Sequence, residues 1–136
     1  MNAYVDASVL LRVVQGNRET LPTWSEIDPV SSSLIRTECL RVIDRARARG
    51  ATDDARAATD RAAVLELLDS FTLMPVTDSI LERAADPFPT ALGTLDAIHL
   101  ASAIAFRADQ PGVAFATHDT ELAIAAQSVG FDVLGA

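Results

Sequence analysis

The sequence contains no lysine and only one cysteine, and both shortages restrict the class of protein. Its 11 basic residues are all arginines and face 19 acidic residues, so the formal net charge is -8. This charge argues against nonspecific binding of nucleic acid through a basic surface, so a polyanionic ligand would need bound cations or a local basic patch. Cys39 cannot form an internal disulfide, and its apolar helical neighbours predict a small buried hydrophobe.

Long apolar runs are also missing, although 49% of the residues are hydrophobic. No run approaches the roughly 18 residues that span a bilayer. Met1 leads directly into a short apolar stretch without the basic segment of a secretion signal, so a cytoplasmic location is expected. No linker or repeat divides the chain, and residues 1–136 are therefore predicted to form one domain.

Short apolar segments alternate with segments of helical periodicity along the chain. Strands are predicted at residues 2–5, 29–33, 71–76, 113–117 and 131–134. Helices are predicted at residues 7–14, from the serines at 31–33 to Gly50, and at 53–70, 78–85, 94–108 and 119–128. This alternation predicts an α/β fold in which helices cover both faces of a parallel sheet.

Four acidic residues fall where such a sheet collects functional groups. Asp6 and Asp119 follow predicted strands, whereas Glu38 and Asp96 lie in the first turns of predicted helices. The carboxyl ends of parallel strands and the starts of the following helices share one rim of the sheet. These residues, here called the four carboxylates, can therefore converge despite their separation in sequence.

Each carboxylate also has an ordinary alternative role. Asp6 and Asp119 could cap helices, and Asp96 could complement a helix dipole. Glu38 could pair with Arg36 or Arg41 in solvent.

The apolar neighbours of Asp96 favour convergence, because a buried ionised carboxylate is costly unless it is paired or binds a metal. Converging carboxylates repel one another until a hard divalent cation neutralises them, which predicts Mg²⁺ or Mn²⁺. Neither H-E-x-x-H nor C-x-x-C occurs, and His99 and His118 lack the spacing of zinc ligands. His118 is expected to be a loop residue, with a contact to substrate as the alternative.

Four motifs, in this order, resemble the PIN-domain nucleases, and most closely the VapC toxins of bacterial toxin-antitoxin pairs. They are VDAS at residues 5–8, SSLIRTE at 32–38, LDAIHLA at 95–101 and THDTEL at 117–122. The resemblance covers nearly the whole chain. It implies a three-layer α/β/α sandwich around a mostly parallel sheet of four to five strands.

The same resemblance implies an endoribonuclease in which the four carboxylates hold one or two Mg²⁺ or Mn²⁺ ions. Water activated by the metal would attack an RNA phosphodiester and leave 5′-phosphate and 3′-hydroxyl ends. Ser8 and Thr117 would orient the carboxylates, with ordinary capping as the alternative.

The sequence indicates the surfaces for substrate and partner less clearly than it indicates the four carboxylates. Arg36 and Arg41 flank Glu38, so one of them is expected to contact RNA phosphate or to balance the carboxylates. The resemblance also implies a homodimer and a VapB-type antitoxin that lays a hydrophobic segment across the early helices. Apolar residues expected to be exposed for this contact are Leu11, Val14, Leu21 and Trp24, with a place in the core as the alternative for Trp24.

Two rival functions start from the same pattern. The first is a catalytically inactive PIN-like module that binds a protein partner. The second is a phosphorelay receiver or an aspartyl-phosphate enzyme. A receiver needs two acids after the first strand and a late lysine, and an aspartyl-phosphate hydrolase needs Asp-x-Asp where residue 8 is Ser. The site, rather than the fold, therefore has to decide the function.

Overall fold

The computed structural model describes residues 1–136, except for the side chain of Arg18. The strands are β1 (Asn2–Val5), β2 (Asp28–Ser32), β3 (Thr72–Met74), β4 (Ala114–Ala116) and β5 (Val133–Leu134). The helices are α1 (Ala7–Val14), α2 (Leu34–Ala48), α3 (Asp54–Leu68), α4 (Asp78–Ala84), α5 (Thr94–Asp109) and α6 (Thr120–Ser128). Two short 3-10 helices, Arg18–Thr20 and Trp24–Glu26, connect α1 to β2.

The five strands form one parallel sheet in the order β3-β2-β1-β4-β5. From the central β1 the chain builds outward through β2 to β3, and then crosses back to add β4 and β5 on the other side. The direction of winding therefore reverses between β1 and β4. In open α/β sheets, ligands bind in the crevice outside the carboxyl ends of the strands at such a switch point.

Alternate residues of β1 supply the apolar layers on the two faces of the sheet. Ala3 and Val5 pack with Val9 of α1, whereas Tyr4 packs on the opposite face with Leu100 of α5. This follows from the period of two in a strand. A further cluster joins α1, α2 and α3. Helices thus cover both faces, and the predicted three-layer α/β/α sandwich is confirmed.

The structure differs from the sequence prediction mainly at the ends of elements and in the burial of the apolar residues near α1. β2 ends at Ser32, one residue before the predicted end, and the Ser32 Oγ accepts a hydrogen bond from the Leu34 N–H at 3.1 Å where α2 begins. Leu21 was expected to be exposed, but it is 3% exposed and packs in the core beside α1. Leu11, Val14 and Trp24, for which exposure was also expected, are partly buried and pack against the core. Cys39 is fully buried, as predicted. In the part of the chain that the structure describes, no helix is long and apolar enough to cross a membrane.

Candidate active site

Asp6 lies at the switch point and is held there by both carboxylate oxygens. It is the N-cap of α1, where its Oδ1 accepts hydrogen bonds from the Val9 N–H at 3.2 Å and the Ser8 hydroxyl at 2.6 Å. Its Oδ2 accepts a hydrogen bond from the Thr117 hydroxyl at 2.7 Å. Asp6 is only 4% exposed, and burial raises its pKa despite these hydrogen bonds. A cation nearby would favour the ionised form of this carboxyl.

Ser8 and Thr117 connect Asp6 to the chain that leaves β4. The Ser8 Oγ accepts a hydrogen bond from the His118 N–H at 2.9 Å, and the Thr117 Oγ1 accepts one from the Asp119 N–H at 3.0 Å. Each hydroxyl therefore donates to Asp6 and accepts from the backbone after β4. This arrangement fixes Asp6 relative to the segment that carries Asp119.

Asp119 begins α6, and its Oδ1 accepts a hydrogen bond from the Leu122 N–H at 2.9 Å. The capping roles considered for Asp6 and Asp119 are thus both present. Capping does not exclude a second role for Asp119. The capping hydrogen bond uses Oδ1 only, and the side chain is exposed at the sheet rim.

Asp96 lies in the first turn of α5 and is partly buried. Burial raises its pKa, and the charges of Asp119, Asp6 and Glu38 raise it further, to about 6. Since electrostatic repulsion falls with distance, these contributions place the four carboxylates in one electrostatic environment. The charges of these acids, which are far apart in sequence, thus lie near enough to Asp96 to act on its carboxyl group.

Glu38 projects from the second turn of α2 and meets α5 through His99. The distance between His99 Nε2 and Glu38 Oε1 is 2.7 Å, and the His99 Nδ1 lies 2.8 Å from the Tyr4 hydroxyl. His99 is fully buried, and the Glu38 side chain is 15% exposed. Sequence reasoning treated His99 only as a doubtful ligand. The available signal was its spacing, since it lies one helical turn after Asp96.

The two candidate arginines stand in solvent beside this site. Arg36 is exposed, and Arg41 forms an exposed ion pair with Asp44 at 2.9 Å rather than with Glu38. Among the described side chains, no arginine forms an ion pair with any of the four carboxylates. The negative charge at the rim is therefore left for another cation to balance.

His118 contacts the chain near its C-terminus. Its Nδ1 lies 2.6 Å from the Gly135 carbonyl oxygen, and its Nε2 lies 3.2 Å from the Thr20 hydroxyl. Both ring nitrogens thus have partners within the protein. This geometry favours the structural role expected for His118 over a contact with substrate.

The donors at the rim fit a hard cation. The described residues hold no group of three His, Cys, Asp or Glu side chains arranged to bind a metal ion by themselves. Mg²⁺ does not need such a cage, because it usually keeps several waters and is bound by one or two carboxylates together with substrate phosphates. A thiolate, which would favour a softer metal ion, is absent from the rim. The Cys39 thiol is buried and its pKa is raised to about 12, chiefly by burial. Oxygen donors and uncompensated charge thus match Mg²⁺ or Mn²⁺.

Residues 3–127 match the sequence model of the PIN domain. The chain belongs to the PIN-domain family. This PIN domain is also 33% identical over 136 residues to Ribonuclease VapC47 of Mycobacterium tuberculosis (strain CDC 1551 / Oshkosh), a match that covers 94% of this chain and 92% of that protein. The resemblance to the VapC type of PIN domain is thereby confirmed.

Two solved structures share the fold of this PIN domain. The crystal structure of PAE2754 from Pyrobaculum aerophilum matches with a TM-score of 0.64 at 20% identity, over 98% of this chain and 83% of that one. A toxin-antitoxin complex from Klebsiella pneumoniae matches with a TM-score of 0.57 at 19% identity, over 88% of each chain. At these identities the likeness concerns the fold.

Proposed function

We propose that this PIN domain is a metal-dependent endoribonuclease and the toxin of a toxin-antitoxin pair. The observation that supports this most directly is the position of Asp96 at the switch point, where burial first, and then the charges of Asp119, Asp6 and Glu38, raise its pKa. Four acids with no arginine partner among the described side chains are costly to keep together unless they bind a cation. The relationship to a protein named as a ribonuclease supports RNA as the substrate.

Mg²⁺ or Mn²⁺ is the cofactor of the proposed reaction, and Asp6, Glu38, Asp96 and Asp119 would hold it. When bound, a divalent ion supplies the positive charge that activates water and offsets the charge developing on the phosphate. The residues of the chain do the positioning. Ser8 and Thr117 hold Asp6 in a single orientation through hydrogen bonds of 2.6 and 2.7 Å.

Product analysis of RNA cleaved by the purified protein tests this reaction. Direct attack of water predicts 5′-phosphate and 3′-hydroxyl ends, formed with Mg²⁺ or Mn²⁺ and not with EDTA. Sequencing of 5′-phosphate ends after induced expression would also locate the cleaved RNA. Cleavage that persists in EDTA, or that leaves 2′,3′-cyclic phosphate ends, would contradict the proposal. Absence of both cleavage and metal binding would instead favour the inactive protein-binding module.

Arg36 and Arg41 are proposed to contact RNA phosphate. The Arg41 pair with Asp44 does not prevent this, because an exposed ion pair is weak and easily exchanged. We expect Arg36→Ala and Arg41→Ala each to weaken RNA binding several-fold, with a smaller dependence of affinity on salt. Fluorescence anisotropy on a labelled RNA at two salt concentrations measures both effects. Arg61→Ala, on the exposed face of α3, is the matched control, and equal affinities for all three variants would remove this role.

A VapB-type antitoxin is the proposed partner, as the structural likeness to a toxin-antitoxin complex suggests. The chain offers a groove of about 380 Å³ between the early helices, lined in part by Leu11, Val42 and Ala46. Of the residues that the sequence offered for the antitoxin contact, Leu11 lines this groove. A homodimer and a cytoplasmic location are part of the same proposal. A purified complex with its antitoxin that kept full nuclease activity would contradict an inhibitory role for this partner.

A further inference from the structure

The contact between His99 and Glu38 points to a function for a residue that the proposed reaction does not use. We propose that His99 is a positioning residue that, with Tyr4 behind it, holds the Glu38 carboxylate in the orientation that binds the metal. This inference rests on the proposed function, because it assumes that Glu38 is a metal ligand.

For a neutral imidazole beside an ionised Glu38, the hydrogen bonds around His99 have one consistent direction. A carboxylate only accepts hydrogen bonds, so the proton between His99 and Glu38 belongs to the His99 Nε2. The Tyr4 oxygen already accepts a hydrogen bond from the Ser32 N–H at 3.1 Å, and its own proton is then available for the His99 Nδ1 at 2.8 Å. The donors therefore run from Ser32 through Tyr4 and His99 to Glu38, which selects the Nε2–H tautomer of the imidazole.

Aromatic packing prevents the imidazole from turning away from Glu38. Tyr4 and His99 are both fully buried, and their rings meet edge to face with centroids 5.8 Å apart. Tyr4 is itself stacked on Phe115 with an interplanar angle of 15° and centroids 5.4 Å apart. The His99 Nε2–H that donates to Glu38 is thus held in place by aromatic packing in the core.

The position of this contact in the fold explains why Glu38 needs it. Glu38 lies on α2, which packs in the layer with α1 and α3, whereas His99 and Asp96 lie on α5 in the opposite layer. Glu38 must therefore reach over the rim of the sheet to meet the other carboxylates. The bond of 2.7 Å between His99 and Glu38 Oε1 joins the two layers at this point and leaves the second carboxylate oxygen for a cation.

His99 itself is not placed to act on substrate. It is 0% exposed, and both ring nitrogens are within hydrogen-bonding distance of protein groups. It acts only through Glu38, in the way that partners behind a metal ligand orient it and tune its affinity. A histidine that merely filled the core would be replaceable by an apolar side chain without effect on metal binding.

Two substitutions at His99 separate these roles. His99→Leu keeps much of the volume but removes the donor, whereas His99→Gln keeps an amide N–H at about the reach of Nε2. We expect His99→Leu to weaken Mn²⁺ binding about 10–100-fold and His99→Gln to restore most of the affinity. Calorimetric titration of the full chain with Mn²⁺, without RNA, measures this directly. Thermal unfolding of both metal-free variants shows how much stability each has lost.

A spectroscopic measurement on the unmodified protein covers the case in which His99→Leu does not fold. The ¹⁵N chemical shifts of the His99 ring distinguish the two tautomers, and we expect the pattern of Nε2–H. Tyr4→Phe removes the hydroxyl that donates to Nδ1 and should shift the Nδ1 resonance. An Nδ1–H pattern in the unmodified protein would overturn the proposed direction of the hydrogen bonds and the positioning role with it.

Glu38→Gln, titrated in parallel, distinguishes failure of this inference from failure of the proposed function. If Glu38→Gln weakens Mn²⁺ binding but His99→Leu binds as the unmodified protein does, His99 has no positioning role and the metal site stands. If Glu38→Gln itself leaves Mn²⁺ affinity unchanged, Glu38 is not a ligand, and both the site assignment and the role of His99 are wrong.

Discussion

Asp6→Asn or Asp96→Asn is expected to abolish metal-dependent RNA cleavage while leaving the protein folded. An asparagine has nearly the same size as aspartate but carries no negative charge, so it removes attraction for the cation. Substitution of groups behind a metal ligand typically costs about 10–100-fold, and loss of a ligand should exceed this, on the order of 10³-fold or more. The measurement is the initial rate of cleavage of a labelled RNA at saturating Mg²⁺, with circular dichroism to verify the fold.

Asp6→Asn and Asp96→Asn are both expected to abolish activity, but they differ in their expected effect on stability. Asparagine caps a helix about as well as aspartate, but its NH2 group cannot accept the hydrogen bond that Ser8 or Thr117 donates to Asp6, so Asp6→Asn should cost stability as well as activity. Asp96→Asn removes repulsion and should cost only activity. Asp109→Asn is the matched control, because Asp109 is exposed at the other end of α5. Substantial metal-dependent cleavage by either Asp6→Asn or Asp96→Asn would contradict the mechanism.

Removal of divalent metal is expected to destabilise the protein about twice as much at pH 8 as at pH 5. At a metal concentration of 100 times Kd, binding stabilises the folded state by about 2.7 kcal/mol, which is roughly 10 °C in Tm for a domain of this size. At pH 5 the cation must compete with a proton on Asp96, whose pKa is raised to about 6. Scanning calorimetry with Mn²⁺ and with EDTA at both pH values measures the difference.

The pH dependence of the metal-free protein has a definite sign. Folding raises the pKa of Asp96 from 3.8 to about 6, so its protonated form contributes stability at low pH that is lost as the pH rises through about 6. Burial raises the pKa of Asp6 as well, and its effect has the same sign. Without metal, Asp96→Asn should therefore be more stable than the unmodified protein at pH 8, and this advantage should shrink at pH 4. An advantage that grew toward low pH would contradict the raised pKa of Asp96.

Most of the fold could be predicted from the sequence because its signals are local. The alternation of short apolar strands with helices predicted the order of elements, and a parallel sheet then placed Asp6 and Asp119 at strand ends on one rim. The structure has all five strands parallel, with β1 in the centre. The least accurate part was the surface near α1, where Leu21 packs inward against the sheet although nothing in its local pattern indicates this.

The contacts within the candidate site were harder to predict because they are nonlocal and directional. Glu38 and His99 are 61 residues apart, and Tyr4 and His99 are 95 residues apart. No periodicity in the sequence specifies that one imidazole joins these two side chains. The same limit applies to Ser8 and Thr117, whose capping alternative was reasonable until their hydroxyls were seen to donate to opposite oxygens of Asp6.

The central claim is that four carboxylates from four different elements form one divalent-metal site. Calorimetric titration with Mn²⁺ at pH 7.5 tests it most directly, with the unmodified protein compared against Asp96→Asn and the control Asp109→Asn. We predict that Asp96→Asn raises Kd at least about tenfold and that Asp109→Asn leaves Kd unchanged. Equal affinities for all three proteins, or no saturable binding by the unmodified protein, would contradict the claim.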